Sequence, residues 1–144
     1  DEACASRLAL QAMQQLKRAD TTPHTPPAGI PASVVPTNRE LDPVLMSLSK
    51  LAKAVAPVND ALAFEILDEV VTAANRSEVD TGQGRTGFET DVFKTLAATN
   101  EARTRQAAES LKDPLRRIVA LAAIYQWQAE ELAKQEKAKA ARPR

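Results

Sequence analysis

Apolar residues recur at helical spacing through most of this chain, and that repeat is the strongest constraint on its fold. The clearest stripe runs for about four turns at spacings of three and four residues: Leu41, Val44, Leu45, Leu48, Leu51, Ala52 and Val55. The chain has 27 alanines but only five aromatic residues and four glycines, a composition that favours helices over strands. We therefore predict an all-α fold of short antiparallel amphipathic helices.

The same patterns divide the chain into four parts. Residues 1–20 form a helix whose apolar stripe includes Leu8, Ala12 and Leu16. Residues 21–40 hold five of the nine prolines and are expected to be an extended linker. Residues 41–137 form the helical domain, and residues 138–144 form a basic tail. The first helix is therefore tethered, and we expect it to dock on the domain or on a partner.

Polar residues at the start of each stripe indicate where helices begin. Asp42-Pro43 and Asp113-Pro114 pair a good N-cap with a proline at the first helical position. Asn59 or Asp60 caps a helix that forms an αα-hairpin with its predecessor, and Asn100 caps a short one. A surface loop is expected from residue 75 to residue 87. With these boundaries we predict six helices, the last apolar on two faces and so sandwiched between neighbours.

The helix starts also repeat. The segment 41–45, which reads LDPVL, is matched by KDPLR at 112–116, and VNDALA at 58–63 is related to TNEA at 99–102. Across residues 41 to 135 this pattern resembles α-solenoid repeats of the tetratricopeptide or HEAT kind. No regular 34-residue period is present, and neither is the tetratricopeptide consensus. An irregular helical bundle is the alternative packing.

Three short motifs match enzyme signatures without the setting those signatures need. Residues 82–87 read GQGRTG, but a phosphate-binding G-x-G-x-x-G loop follows a β-strand, and no strand pattern precedes this one. DTG at 80–82 and SLSK at 47–50 lack the partner residues of aspartic proteases and of β-lactamases. We interpret all three as coincidental, with Arg85 beside a helix start left as a weak anion site.

The residues that usually carry catalysis or bind metals are nearly absent. His24 is the only histidine and lies in the linker, and Cys4 is the only cysteine. A lone cysteine in an alanine-rich helix is expected to be a small buried side chain. We therefore predict no catalytic, cofactor-binding or metal-binding residue.

The remaining possibility is recognition of another macromolecule. Charge is balanced, with 19 basic and 19 acidic residues, so nucleic acid is not the expected partner, and no apolar run is long enough to span a membrane. The leading hypothesis is a non-enzymatic interaction module that binds another protein, or a neighbouring part of its own parent chain, through a groove between helices. Self-association is also expected. Tyr125, Trp127 and Arg85 are the candidate partner-binding residues. The alternatives are a small hydrolase or ligand-binding domain with a site at residues 80–87, and weak binding of nucleic acid or an acidic partner by the basic tail. No feature of the sequence indicates a cellular compartment.

Overall fold

A computed structural model describes residues 2–21, 43–77 and 86–141 of the chain, and these residues form six α-helices and no strand. The all-α prediction is confirmed. The helices are α1 (Glu2–Thr21), α2 (Pro43–Val55), α3 (Asp60–Arg76), α4 (Asp91–Ala97), α5 (Glu101–Glu109) and α6 (Pro114–Ala140).

The predicted side-chain caps start three of these helices. Asn59, and not Asp60, caps α3 by accepting the backbone N–H of Leu62 at 3.0 Å. Asn100 caps α5 in the same way, and Asp113 caps α6, where Pro114 is the first helical residue. Each cap satisfies an amide that has no partner within the helix. Asp42 lies outside the described residues.

The helices form an array in which α1 and α6 lie at opposite ends. The hairpin of α2 and α3 is at the centre, α1 packs on α2, and α4 and α5 join the hairpin to α6. Ser6 contacts Asn59 and Lys17 contacts Glu69, so α1 runs parallel to α3. Likewise Arg105 contacts Tyr125 while Glu101 contacts Gln128, so α5 and α6 are antiparallel.

The core is built from the apolar stripes that the spacing predicts. Leu45, Ile66, Leu67 and Phe93 are among its fully buried side chains. Two stripe residues, Phe88 and Leu111, are buried from positions just outside α4 and α5. The Phe88 ring lies 5.5 Å from the Phe93 ring, so it closes the core beside the start of α4 without being helical.

Two expectations are wrong. The helix α6 is not sandwiched: Ala120, Ala123 and Ile124 are buried on one side, whereas Ile118 and Leu132 on the other side are exposed. Cys4 is also exposed, because it lies on the side of α1 away from Ala9, the buried residue through which this helix packs. Both errors arise because a sequence shows which faces are apolar but not which faces meet a neighbour.

Candidate functional site

Among the described residues, the large apolar side chains that remain exposed fall into two groups. Leu8, Leu10 and Val58 lie on α1 and on the turn that follows α2, whereas Ile118, Tyr125 and Leu132 lie on α6. Isolated exposed apolar residues are common, but grouped ones are characteristic of binding surfaces. The two ends of the array are therefore the candidate functional surfaces.

At the first end, α1 and α2 enclose an apolar groove, here called the α1/α2 groove. Alanines on α1 allow the two helices to approach closely, and the groove opens where Leu8 stands beside them, 61% exposed. It has a volume of about 340 Å³, and Ser6 is its one polar lining residue. Because the Ser6 hydroxyl already accepts a hydrogen bond from Asn59 at 3.1 Å, the groove presents an apolar surface. Its lining is Ala5, Ser6, Leu8, Ala9, Ala12, Leu51, Ala54, Val55 and Val58.

At the second end, the side of α6 that faces away from the body is apolar over the first five turns of the helix. Ile118 is 63% exposed, Tyr125 53% and Leu132 61%. The Tyr125 ring is held by Arg105 of α5, whose guanidinium carbon lies 5.2 Å from the ring centre and which donates to the hydroxyl at 3.1 Å. A fixed aromatic ring loses little conformational entropy when it binds.

A third, polar groove of about 370 Å³ lies beside Trp127, between α4 and α6. Its charged side chains pair with one another: Lys94 with Glu130 at 2.6 Å, and Lys134 with Glu131 at 2.7 Å. The hydrogen bond from Lys94 holds the pKa of Glu130 below its ordinary value. A charged ligand would have to displace these internal pairs, so this groove is a weaker candidate than the two apolar surfaces.

The three residues predicted to bind a partner do not share one surface. Tyr125 and Trp127 are two positions apart on a helix and therefore diverge by about 200°. Trp127 is half-buried against the core and lines the polar groove, whereas Tyr125 lies on the outer face of α6. Arg85 lies outside the described residues.

Most of the predicted 80–87 site also lies outside the described residues. The described element that precedes it is the helix α3. Gly87 is described: it is buried and has a φ of 80°, a conformation that glycine adopts without steric cost. Of the basic tail, the exposed Lys139 stands near the end of α6, and residues 142–144 are not described.

Sequence reasoning missed Arg116, the most unusual polar residue of the core. Its side chain is in the first turn of α6 but is 2% exposed. Nε donates to the Thr86 carbonyl at 2.8 Å, and Nη1 donates to the carbonyls of Ala74 and Ser77. A signal existed, because a cation at a helix N-terminus opposes the helix dipole. Here the positive charge lies instead at the C-terminal end of α3, where it complements the dipole of that helix.

Within the described residues, no group of three or more histidine, cysteine or acidic side chains is arranged to hold a metal ion. None of the described helices combines the length and the apolar character needed to cross a membrane. Comparison with protein-family models, curated proteins and solved structures finds no match for this chain. Its function is therefore argued from its surfaces.

Proposed function

We propose that this chain is a non-enzymatic helical interaction module that binds an apolar helix of a protein partner in the α1/α2 groove. In this proposal the helices stack as an α-solenoid-like array, and the end formed by α1 is the recognition surface. The observation that carries the proposal is a concave groove of about 340 Å³ with an apolar lining. Such grooves bind amphipathic helices that insert apolar side chains at positions i, i+3 or i+4, and i+7.

The dimensions of the groove set the size of the bound element. Ala5, Leu8 and Ala12 mark the α1 side and span two helical turns, a length of about 10 Å. A partner helix would therefore insert two or three apolar side chains. Burial of Leu8 and Val58 would provide most of the binding free energy, since both are substantially exposed in the free chain.

The lining of the groove carries no charged side chain, which favours a partner with an apolar contact face. Lys17, further along α1, pairs with Glu69 of α3 at 2.6 Å. We therefore expect binding to depend on apolar contact and to change little with salt concentration, unlike binding to nucleic acid.

Selection from a library of helical peptides, with the whole chain as target, tests the proposal. The enriched peptides should carry an apolar i, i+3 or i+4, i+7 stripe and bind with micromolar affinity. Binding should weaken by at least about tenfold in Leu8→Glu, because the substitution places a charge inside the apolar contact.

The matched control is Ile118→Glu, which makes the same kind of change at a residue of similar exposure at the other end of the array. It should leave peptide binding unchanged. Peptides that bind Leu8→Glu as well as the unmodified chain, or that are lost with Ile118→Glu instead, would show that the groove is not the recognition site.

A further inference from the structure

The outer face of α6 carries a heptad pattern that none of the other described helices covers. Its apolar residues alternate at spacings of three and four over the first five turns, the a and d spacing of a coiled coil. We call this set the α6 seam: Leu115, Ile118, Ala122, Tyr125, Ala129 and Leu132. Most of these residues are exposed: Ile118, Ala122, Tyr125, Ala129 and Leu132. Leu115 is half-buried.

The core of the chain uses other positions of the same helix. Ala120, Ala123 and Ile124 are buried against the neighbouring helices, and Trp127 packs beside them. An ordinary surface helix has one apolar stripe and a charged opposite face. Here the opposite face is apolar too, and the positions that flank the seam are also uncharged: residues 119, 121, 126, 128 and 133.

We propose that the α6 seam binds the α6 seam of a second copy of this chain, with the two helices antiparallel. The seam complements itself in that direction. When Ala122 is set opposite Tyr125 of the second copy, Ile118 falls opposite Ala129 and Leu115 opposite Leu132. Two-fold symmetry repeats each contact. A layer is a level at which one seam residue of each helix meets the other. Each of the four central layers therefore pairs a small residue with a large one, as close packing requires.

The parallel arrangement lacks this fit. A parallel pair sets like positions against each other, so alanine would meet alanine in two layers, at positions 122 and 129, and two Tyr125 rings would meet in another. The antiparallel register brings Arg117 close to the level of Glu131 of the second copy, and it aligns the two helix dipoles favourably.

The size of the seam indicates a weak, reversible dimer. Leu115 and Leu132 are 17 residues apart, which is about 26 Å along the helix. One helix pair of this length is at the small end of specific interfaces, which bury about 1,200–2,000 Å². Arg105 already holds the Tyr125 ring in place, which reduces the entropy cost of association. We expect a dissociation constant on the order of 10–100 μM.

Sedimentation of the whole chain between 5 and 500 μM tests the association. A monomer–dimer equilibrium should be present, and Ile118→Glu and Leu132→Glu should each weaken it by at least about tenfold. Both residues are more than half exposed, so both variants should keep the helical circular dichroism spectrum. The control Leu8→Glu, at a residue of similar exposure, should dimerise normally.

The direction of the helices is tested by a distance between spin labels. Cys4 is exposed and would also react, so the label is attached at Lys137→Cys in a Cys4→Ser background. In the antiparallel dimer the two labels should be separated by about 40 Å along the helices, from the rise of 1.5 Å per residue. In a parallel dimer they would lie within about 20 Å.

Several results would overturn the proposal. A chain that stays monomeric at 500 μM has no such interface. A dimer that persists in both α6 variants, or that is lost in Leu8→Glu, is held by another surface. Masses that grow beyond the dimer would indicate head-to-tail stacking of α6 on the α1/α2 groove, and a short label distance would indicate parallel helices.

Discussion

Replacement of Arg116 by alanine tests a buried interaction that joins α6 to the end of α3 and to the segment before α4. The guanidinium lies inside the protein and donates to three backbone carbonyls, those of Ala74 and Ser77 at the end of α3 and that of Thr86 before α4. In Arg116→Ala these carbonyls lose a charged donor in a site where the arginine is 2% exposed. The α3 end also loses a cation that complements its dipole.

The expected loss of stability in Arg116→Ala follows from the hydrogen bonds that the guanidinium makes. The bonds to Ala74 and Thr86 are each worth about 1.5 kcal/mol, the lower value for a charged donor, and the 3.3 Å bond to Ser77 is worth less. The loss of the buried aliphatic stem adds roughly 1 kcal/mol. Relief of the desolvation of the arginine offsets part of this sum. We therefore expect a loss of about 3 kcal/mol, a large part of the 5–15 kcal/mol typical of a domain.

Urea unfolding, followed by circular dichroism and by the fluorescence of the single tryptophan, Trp127, measures this loss. The matched control is Arg117→Ala. That arginine is the next residue of the same helix and also bonds to carbonyls, those of Leu111 and Lys112, but its side chain is exposed. The Arg117→Ala substitution should lower the free energy of unfolding by less than about 1 kcal/mol.

If Arg116→Ala lowers the free energy of unfolding no more than Arg117→Ala does, the buried guanidinium does not stabilise the fold. A second variant, Arg116→Met, separates the charge from the packing, because methionine keeps most of the stem and removes all the donors. A stability equal to that of the unmodified chain would show that burial of the charge cancels the benefit of the hydrogen bonds.

Three further predictions concern single polar contacts. Asn75→Ala should lower the free energy of unfolding in urea by about 1–2 kcal/mol, because the Asn75 amide both donates to the Ser110 carbonyl at 3.0 Å and accepts from the backbone N–H of Lys112 at 2.7 Å. A loss under about 0.5 kcal/mol would contradict this. Ser49→Ala should cost a similar amount, since the buried Ser49 hydroxyl accepts the backbone N–H of Glu89 at 3.0 Å, whereas Ser47→Ala at an exposed position should be neutral. Lys94→Met should raise the pKa of Glu130, which the hydrogen bond from Lys94 holds low, and NMR titration that finds the same pKa in both proteins would disprove the link.

The direction of the shift in the Glu130 pKa determines the pH range in which the ionised carboxyl stabilises the fold. The folded-state pKa of this carboxyl is lower than its ordinary value, so the ionised form is favoured by folding. The resulting stabilisation is present above the ordinary carboxyl pKa and is lost as the pH falls through the lowered one. Lys94→Met should reduce this acid-dependent contribution, so the stability of the unmodified chain should fall more steeply with decreasing pH than that of the variant.

The two proposed surfaces differ in shape and can be tested independently. The α1/α2 groove is concave and would admit a single helix, whereas the α6 seam is a convex ridge that complements a copy of itself. Because they lie at opposite ends of the array, a dimer through α6 would leave both grooves open. The pair Leu8→Glu and Ile118→Glu should therefore have reciprocal effects, the first on peptide binding and the second on dimerisation.

Of the described residues that the sequence offered as partner-binding candidates, only Tyr125 lies on one of the two apolar surfaces. It was a candidate because exposed aromatic side chains are common anchors of binding interfaces. That it is exposed, while Trp127 two residues later is half-buried, depends on where α4 and α5 lie against α6. The α1/α2 groove could not be predicted either, since residues 21–40 separate its two helices in the sequence and no local pattern links them.

What the sequence alone determined is the set of helices and their caps. Apolar spacing and the polar residues Asn59, Asn100 and Asp113 act within a few residues of where they stand, so they can be interpreted without the rest of the chain. Tertiary structure decided which apolar faces are covered, and it placed Arg116 inside the protein, where carbonyls from α3 and from the segment before α4 surround it. Burial depends on the neighbours that a residue meets, and for Arg116 those neighbours lie 30 to 42 positions away in the sequence.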